Sequence, residues 1–259
     1  MADKSENDSE ALEVAADILR PLGHYFDVSL EHLDRLPEGG VLLVGNHALL
    51  GIDSVVLLPE LFRQTGRRPR GLALRSLFRV PVLRDALNEV GLVEGSRQNA
   101  IELLGADEMV ITYPGGARDS IKGRHRRYEL QWGDRRGFAH VALEAGVPVV
   151  PVAGIGPDDA FPTQSNEGIF SMPFLGDKSY KVPFFLPIAR PVPFAFRFGE
   201  PIEPPERFVE GDAEPDEQAA GQFARRVEQD LQSMLDEGQT SREPLFEVLS
   251  GLLDRLKGG

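Results

Sequence analysis

The chain has 259 residues, of which 41% are hydrophobic and 27% charged, the composition of a folded globular protein. Its formal net charge of −13 disfavours nucleic acid as a partner, because a phosphate backbone is bound by a positive surface. Cysteine is absent, which excludes disulfides and thiolate chemistry, and no run of about 18 apolar residues predicts a simple transmembrane helix.

The chain is expected to open with a disordered acidic tail over residues 1–8, followed by a single domain over residues 9–259. Helical spacing predicts a first helix from Ser9, as its cap, to Leu22. Short apolar runs then predict strands at Val41–Val44, Leu72–Leu74, Met109–Tyr113, Val147–Val152 and Phe194–Phe198. Helices are predicted between them at Ser54–Gln64, Val82–Val90, Ser96–Leu104 and Gly137–Ala145.

This alternation predicts an α/β fold with a mostly parallel central sheet flanked by helices. In such folds the sites lie in loops at the carboxyl ends of strands. Two amphipathic helices, Asp216–Glu237 and Arg242–Leu256, are expected to close the chain within residues 213–259. The Phe-rich stretch from Phe170 to Phe198 is either an apolar rim that rests on a bilayer or ordinary aromatic core.

His47 is the first candidate for chemistry. It follows the strand Val41–Val44 through a short loop, and Asp53 lies six positions further on. A histidine with a carboxylate partner can take a proton from a hydroxyl, because the carboxylate fixes the tautomer and stabilises the imidazolium. The alternative is structural: His47 ends a strand and Asp53 caps the next helix.

The second candidate is the segment Tyr113–Asp119, which follows a predicted strand and contains two adjacent glycines and Arg118. Glycines let a backbone approach a ligand and turn its amides toward an anion, and an arginine binds carboxylate or phosphate bidentately. A tight turn with a solvated arginine is the alternative.

Basic residues are clustered in two places, in contrast to the net charge. A cluster of this kind can hold a polyanionic ligand such as coenzyme A or anionic lipid head groups, or it can be a solvated face. The clusters consist of Arg63, Arg67, Arg68, Arg70, Arg75, Arg79 and Arg84, and of Lys122, Arg124, Arg126 and Arg127.

In their order, these features resemble the motifs of the glycerolipid acyltransferase superfamily, which includes glycerol-3-phosphate and lysophosphatidate acyltransferases. Gly45–Asp53 resembles the first motif and Gly91–Arg97 stands where the second occurs. Tyr113–Asp119 resembles the third motif, usually Phe-Pro-Glu-Gly-Thr-Arg-Ser, and Val147–Val152 resembles the fourth. The resemblance covers about residues 24–205.

The resemblance implies that His47 deprotonates the acceptor hydroxyl and that Asp53 orients His47. It implies a direct attack of the hydroxyl on a thioester, with acyl-CoA as co-substrate and with no metal or cofactor. The residues that it assigns to substrate binding are Arg97, Tyr113, Gly115, Gly116 and Arg118.

The sequence departs from the family pattern twice. Five residues rather than four separate His47 from Asp53, and six positions along a regular helix would turn Asp53 about 240° away from His47. The pair can therefore meet only if the intervening segment is not regular helix, a geometry that Gly51 allows. Gly115 replaces the glutamate of the third motif, and this form resembles the diacylglycerol acyltransferase type 2 and phytyl ester synthase branch.

The sequence therefore predicts an acyl-CoA-dependent O-acyltransferase of lipid metabolism, acting on a neutral glyceride or long-chain alcohol. We expect a cytoplasmic protein, peripheral on the inner face of a membrane. A lysophosphatidate or lysophospholipid acyltransferase of phospholipid biosynthesis is the alternative, because Arg97 and Arg118 are retained. An alternative of another class is a non-catalytic lipid-binding protein, which would need neither His47 nor Asp53.

Overall fold

The computed structural model describes residues 2–79, 81–89, 91–161, 170–171, 181–182, 188–209 and 215–257. The strands are β1 (Ser29–Glu31), β2 (Val41–Gly45), β3 (Pro69–Ala73), β4 (Leu92–Glu94), β5 (Met109–Thr112), β6 (Val149–Ile155), β7 (Phe170–Ser171), β8 (Lys181–Val182) and β9 (Ala195–Phe198). The α-helices are α1 (Ala2–Tyr25), α2 (Ile52–Thr65), α3 (Pro81–Glu89), α4 (Arg97–Gly105), α5 (Ala117–Ser120), α6 (Gly137–Ala145), α7 (Pro157–Ala160), α8 (Glu206–Val209) and α9 (Glu217–Lys257).

Seven strands form one sheet in the order β1-β9-β6-β2-β5-β3-β4. Every pairing in it is parallel except that of β6 with β9, so the sheet is mixed but mostly parallel. This confirms the α/β class and the largely parallel sheet predicted from the sequence. The strands β7 and β8 pair separately in an antiparallel hairpin.

The central strand β2 is buried on both faces. Leu42 and Val44 pack on one side with α4, α6 and α9, whereas Val41 and Leu43 pack on the other side with α2 and Phe26. All four side chains are 0% exposed, and each contributes roughly 1.5–3 kcal/mol through burial. A continuous apolar run is therefore required here, because neither face of the strand meets water.

Within this sheet, the two strands that the sequence did not predict, β1 and β4, are its edges. Each has three residues, and each mixes apolar with charged side chains, as Glu31 and Glu94 show. An edge strand needs apolar residues on one face at most, so these short segments carry no apolar run.

Ser96 accepts a hydrogen bond from the Asn99 amide at 3.1 Å, which confirms it as the cap of α4.

The first helix begins earlier than we expected. α1 starts at Ala2, so residues 2–8 are helical rather than a disordered tail, and Ser9 lies inside the helix instead of capping it. Acidic residues are frequent in this part of the sequence, and acidic residues in general favour the first turns of a helix through the helix dipole.

At the other end of the chain, one helix, α9, replaces the two expected ones. Gly238, which stands between the two expected helices, lies within α9 and packs on Ile155. A Cβ at this glycine would lie 1.9 Å from Ile155 Cδ1, so the glycine serves close packing of α9 on β6. No helix in the described residues is long and apolar enough to cross a membrane.

Part of the Phe-rich stretch belongs to the hydrophobic core. Phe194, Phe196 and Phe198 are buried, and Phe194 stacks on Phe26 with ring centroids 4.2 Å apart. For these three residues the core interpretation is the right one, because β9 lies second from the edge of the sheet and is covered there. Phe174, Phe184 and Phe185 lie outside the described residues.

We expect Gly238→Ala to lower the free energy of unfolding by about 1–3 kcal/mol, because the new methyl group overlaps Ile155. The matched control is Gly105→Ala in α4, whose new Cβ would meet nothing within 4 Å and should stabilise the helix by roughly 0.5–1 kcal/mol. Urea denaturation of both variants measures the difference. Equal stability of the two variants would contradict the packing of α9 on β6.

Candidate active site

His47 lies in the loop that follows β2, at the carboxyl end of the strand. The preceding residue, Asn46, is buried and fixes the loop to β6. Its side-chain nitrogen donates to the Gly154 carbonyl at 2.9 Å, and its side-chain oxygen accepts from the Gly154 amide at 2.7 Å. Asn46, which the sequence analysis did not single out, therefore fixes the backbone directly before His47.

The chain between His47 and Asp53 is not a regular helix. Leu50 and Gly51 both adopt left-handed backbone angles, with φ of 60° and 67°, and α2 begins at Ile52. This turn brings Asp53 back to the histidine, with 2.9 Å between His47 Nδ1 and Asp53 Oδ2. His47 and Asp53 thus meet despite the five residues between them, because the intervening segment is not a regular helix.

Asp53 is only 2% exposed and uses both carboxylate oxygens on the loop. One oxygen faces His47 Nδ1, and the other accepts the Ala48 amide at 3.0 Å. Asp53 therefore does not cap its own helix, for which Gly51 is the N-cap residue. A carboxylate only accepts hydrogen bonds, so Nδ1 of a neutral His47 carries the proton and Nε2 has a free lone pair.

The pKa of His47 is raised from its ordinary value of 6.5 by its surroundings. Burial alone would lower it, and Lys122 acts in the same direction, but the charge and hydrogen bond of Asp53 and the charge of Asp119 outweigh both. The imidazole keeps 21% of its side chain exposed. A substrate can therefore reach a histidine whose protonated form is stabilised.

Tyr113, expected to bind substrate, stacks on His47 with ring centroids 4.3 Å apart and an interplanar angle of 19°. Burial raises the pKa of its hydroxyl well above 10.0, and the nearby Asp53 charge adds to this. The structure thus places Tyr113 against the imidazole ring and beside Asp53, where it limits rotation of the ring.

The two glycines after Tyr113 form a tight turn. The Gly116 amide donates to the Tyr113 carbonyl at 2.9 Å, so this amide is engaged within the loop. Arg135 donates to the Pro114 carbonyl at 3.2 Å and also to the Gly115 carbonyl. The arginine that contacts this loop is therefore Arg135, which the sequence analysis did not identify.

The two arginines expected at the acceptor site lie on different helices. Arg97, at the start of α4, forms an exposed ion pair with Glu144 of α6. Arg118 is exposed on α5 and lies beside Gly133.

Much of the basic sequence is used within the protein. Arg67 donates to the Pro37 and Gly39 carbonyls, and Arg70 pairs with Glu108 at 3.5 Å. Lys122 is buried, 2.9 Å from Asp158 and 3.6 Å from Asp119. For these residues internal contacts replace the expected polyanion-binding face. Within the described ranges no three histidine or acidic side chains are grouped as metal ligands.

Comparison with known proteins agrees with the fold and the order of the motifs. Residues 27–154 match the family model described as Acyltransferase. The "DGAT1/2-independent enzyme synthesizing storage lipids" of Mus musculus is 26% identical over 225 residues, which are 86% of this chain and 63% of that protein. "Phytyl ester synthase 2, chloroplastic" of Arabidopsis thaliana is 34% identical over 137 residues, 49% of this chain and 19% of that protein.

A solved structure shares the fold. The 1-acyl-sn-glycerophosphate (LPA) acyltransferase PlsC from Thermotoga maritima superposes with a TM-score of 0.55 at 17% identity, covering 90% of this chain and 84% of that one. Residues 27–154 therefore belong to the Acyltransferase family, and the named relatives are enzymes of the kind grouped in the glycerolipid acyltransferase superfamily. The chain spans less than two thirds of the length of the mouse relative.

We expect Gly51→Ala to destabilise the protein by about 1–2 kcal/mol, because an L-residue resists the left-handed φ of 67° that this turn needs. A Cβ here would lie 3.6 Å from His47 Cε1, an ordinary contact, so the cost is conformational and not steric. Urea denaturation measures it. The control Gly137→Ala, with nothing within 4 Å and no positive φ, should not be destabilised, and an equally stable Gly51→Ala would contradict the turn.

Proposed function

We propose that the protein is an O-acyltransferase that moves a fatty acyl group from acyl-CoA to the hydroxyl of a neutral glyceride or long-chain alcohol. The observation that carries this proposal is the contact of buried Asp53 with His47 Nδ1 at 2.9 Å, which directs the basic Nε2 away from the carboxylate. A lipid-binding protein without turnover has no need of a buried carboxylate spent on a histidine. Membership of the superfamily supports the same reaction class.

In the proposed reaction His47 Nε2 accepts the proton of the acceptor hydroxyl. The hydroxyl oxygen forms a bond to the thioester carbonyl carbon, and the Asp53 carboxylate stabilises the imidazolium. When the tetrahedral intermediate collapses, the carbon–sulfur bond breaks and the CoA thiolate takes the proton from His47. The products are an ester and free CoA, no acyl-enzyme forms, and the neutral histidine is regenerated.

A neutral acceptor is favoured by the charges around the histidine. Asp53 and Asp119 both lie near it, and a phosphate group placed there would be repelled by them. Arg97, the residue expected to bind an acceptor phosphate, is paired with Glu144. The names of the mouse and Arabidopsis relatives, which refer to storage-lipid synthesis and phytyl ester synthesis, support the same choice.

We further propose that the protein works as a cytoplasmic, peripheral protein on the inner face of a membrane. The support is a set of exposed apolar side chains, which in water cost free energy but at a lipid surface do not. Leu50, beside His47, is 60% exposed, and Leu74 and Val82 are 42% and 82% exposed in the segment that contains Arg79. Apolar and basic side chains together suit an anionic bilayer surface.

The proposal is tested by offering radiolabelled acyl-CoA and a panel of acceptors to the purified protein. We expect faster acylation of diacylglycerol or fatty alcohol than of lysophosphatidate, and His47→Ala should reduce kcat roughly 100- to 10,000-fold through loss of the base. Thermal unfolding verifies that the variant remains folded. Full activity of His47→Ala would exclude the mechanism, and a preference for lysophosphatidate would replace the neutral acceptor by a phosphate-bearing one.

We expect the rate to fall as the pH drops through the raised pKa of His47, because only the neutral imidazole is a base. Asp53→Asn removes the largest of the interactions that raise this pKa, so the inflection in log(kcat/KM) should move to lower pH and the plateau should drop roughly 100-fold or more. Glu60→Gln, on the same helix but bound to Arg63 and Gln64, is the control. An unmoved inflection in Asp53→Asn would show that another group orients His47.

A further inference from the structure

Three charged side chains are buried together behind the His47 loop. Asp119 is 0% exposed, and Lys122 and Asp158 are each 4% exposed. Lys122 Nζ lies 2.9 Å from Asp158 Oδ2 and 3.6 Å from Asp119 Oδ1. Burial of charges costs several kcal/mol per ion unless they are paired, so the ion pairs of Lys122 with the two carboxylates are what allow this cluster to be buried.

Asp119 connects this cluster to the histidine. One of its carboxylate oxygens accepts the His47 main-chain amide at 3.0 Å, and the other accepts the Gln131 amide at 3.0 Å. Asp158 in turn accepts the Tyr128 amide at 2.8 Å. Through Asp119, the His47 backbone is thereby joined to the segment that contains Tyr128 and Gln131, which Asp53 does not contact.

Gly115 makes room for the Asp119 side chain. A Cβ at Gly115 would lie 2.4 Å from Asp119 Cβ and 2.7 Å from its Cγ, far closer than carbon atoms pack. The third motif of the family usually has a glutamate here, and a glutamate cannot share this space with Asp119 in its present position. The replacement of that glutamate by glycine therefore goes together with the buried carboxylate.

We propose that Asp119 is a positioning residue for His47, that Lys122 and Asp158 hold it in place, and that Gly115 exists to admit it. The inference rests on the proposed function, in which His47 is the base. Two carboxylates then act on one histidine: Asp53 fixes the ring through Nδ1, and Asp119 fixes the main chain. The raised pKa of His47, to which the Asp119 charge contributes, supports this division.

Asp119→Asn tests the proposal with a readout that needs no turnover. The chain has five histidines, so the His47 ring signal is assigned in NMR spectra by its loss in His47→Ala. We expect a lower His47 pKa and about 10- to 100-fold faster hydrogen exchange of the His47 amide, because asparagine offers one neutral oxygen in place of the two charged ones that accept the His47 and Gln131 amides. The Lys122–Asp158 pair remains, so the variant should fold.

In the acyltransferase assay the same variant should lose about 10- to 100-fold in kcat with KM unchanged. Gly115→Ala, which displaces Asp119 sterically, should also lower the His47 pKa and kcat. The double variant Gly115→Ala/Asp119→Asn should have a kcat no lower than that of the less active single variant. The matched control Asp159→Asn alters a neighbouring carboxylate that binds Arg127 and Tyr128, and it should not change the His47 pKa.

An unchanged His47 pKa and amide exchange in Asp119→Asn would overturn the positioning role, whatever the activity. Additive losses in the double variant would overturn the assigned role of Gly115. If the wild-type protein acylated no acceptor, the proposed function would fail, but the NMR titration would still decide whether Asp119 holds His47.

Discussion

The contact between Asp53 and His47 is the constraint on which the site depends. A carboxylate that is 2% exposed is tolerated only because the His47 ring and the Ala48 amide satisfy its two oxygens. The left-handed conformations of Leu50 and Gly51 make this contact possible, because a regular helix over the same residues would direct Asp53 away from His47. A left-handed leucine costs of order 1–2 kcal/mol, which the surrounding contacts must offset. Strain of this kind is concentrated at functional sites.

The rest of the fold holds the histidine from several directions. β2 supplies a rigid buried stem, and Asn46 joins the loop to β6 through two hydrogen bonds. Tyr113 limits the ring on one face, and Asp119 holds the main chain. In the proposed reaction, an imidazole that is held in this way would lose little further freedom when a hydroxyl approaches it, which is the physical benefit of preorganisation. The exposed fraction of the imidazole, 21%, is what remains for the substrate.

Several basic residues of this protein form internal contacts, although their clustering along the chain suggests a binding surface. The basic clusters stand out in a chain of net charge −13, yet Arg67 and Arg70 stabilise the loops around the sheet and Lys122 neutralises buried carboxylates. Ion pairs inside a protein are stable only where the partners are well placed, and Arg70 and Lys122 find such partners far along the chain, at Glu108 and Asp158. The electrostatic surroundings of His47 are consequently acidic, although the sequence near Tyr113–Asp119 is followed by a basic run.

The sequence by itself determined the α/β alternation, the central strands, the cap at Ser96, the His47 and Asp53 candidates and the family, because apolar runs and motifs are local patterns. Only the tertiary structure decided that β1 and β4 are edge strands, that Phe194, Phe196 and Phe198 are core, and that Arg97 pairs with Glu144. It also joined Asp119 to His47, 72 positions away, and left no space for a Cβ at Gly115 beside the Asp119 side chain. These features arise from contacts between distant segments, and no local pattern of residue types specifies which buried carboxylate will face which amide.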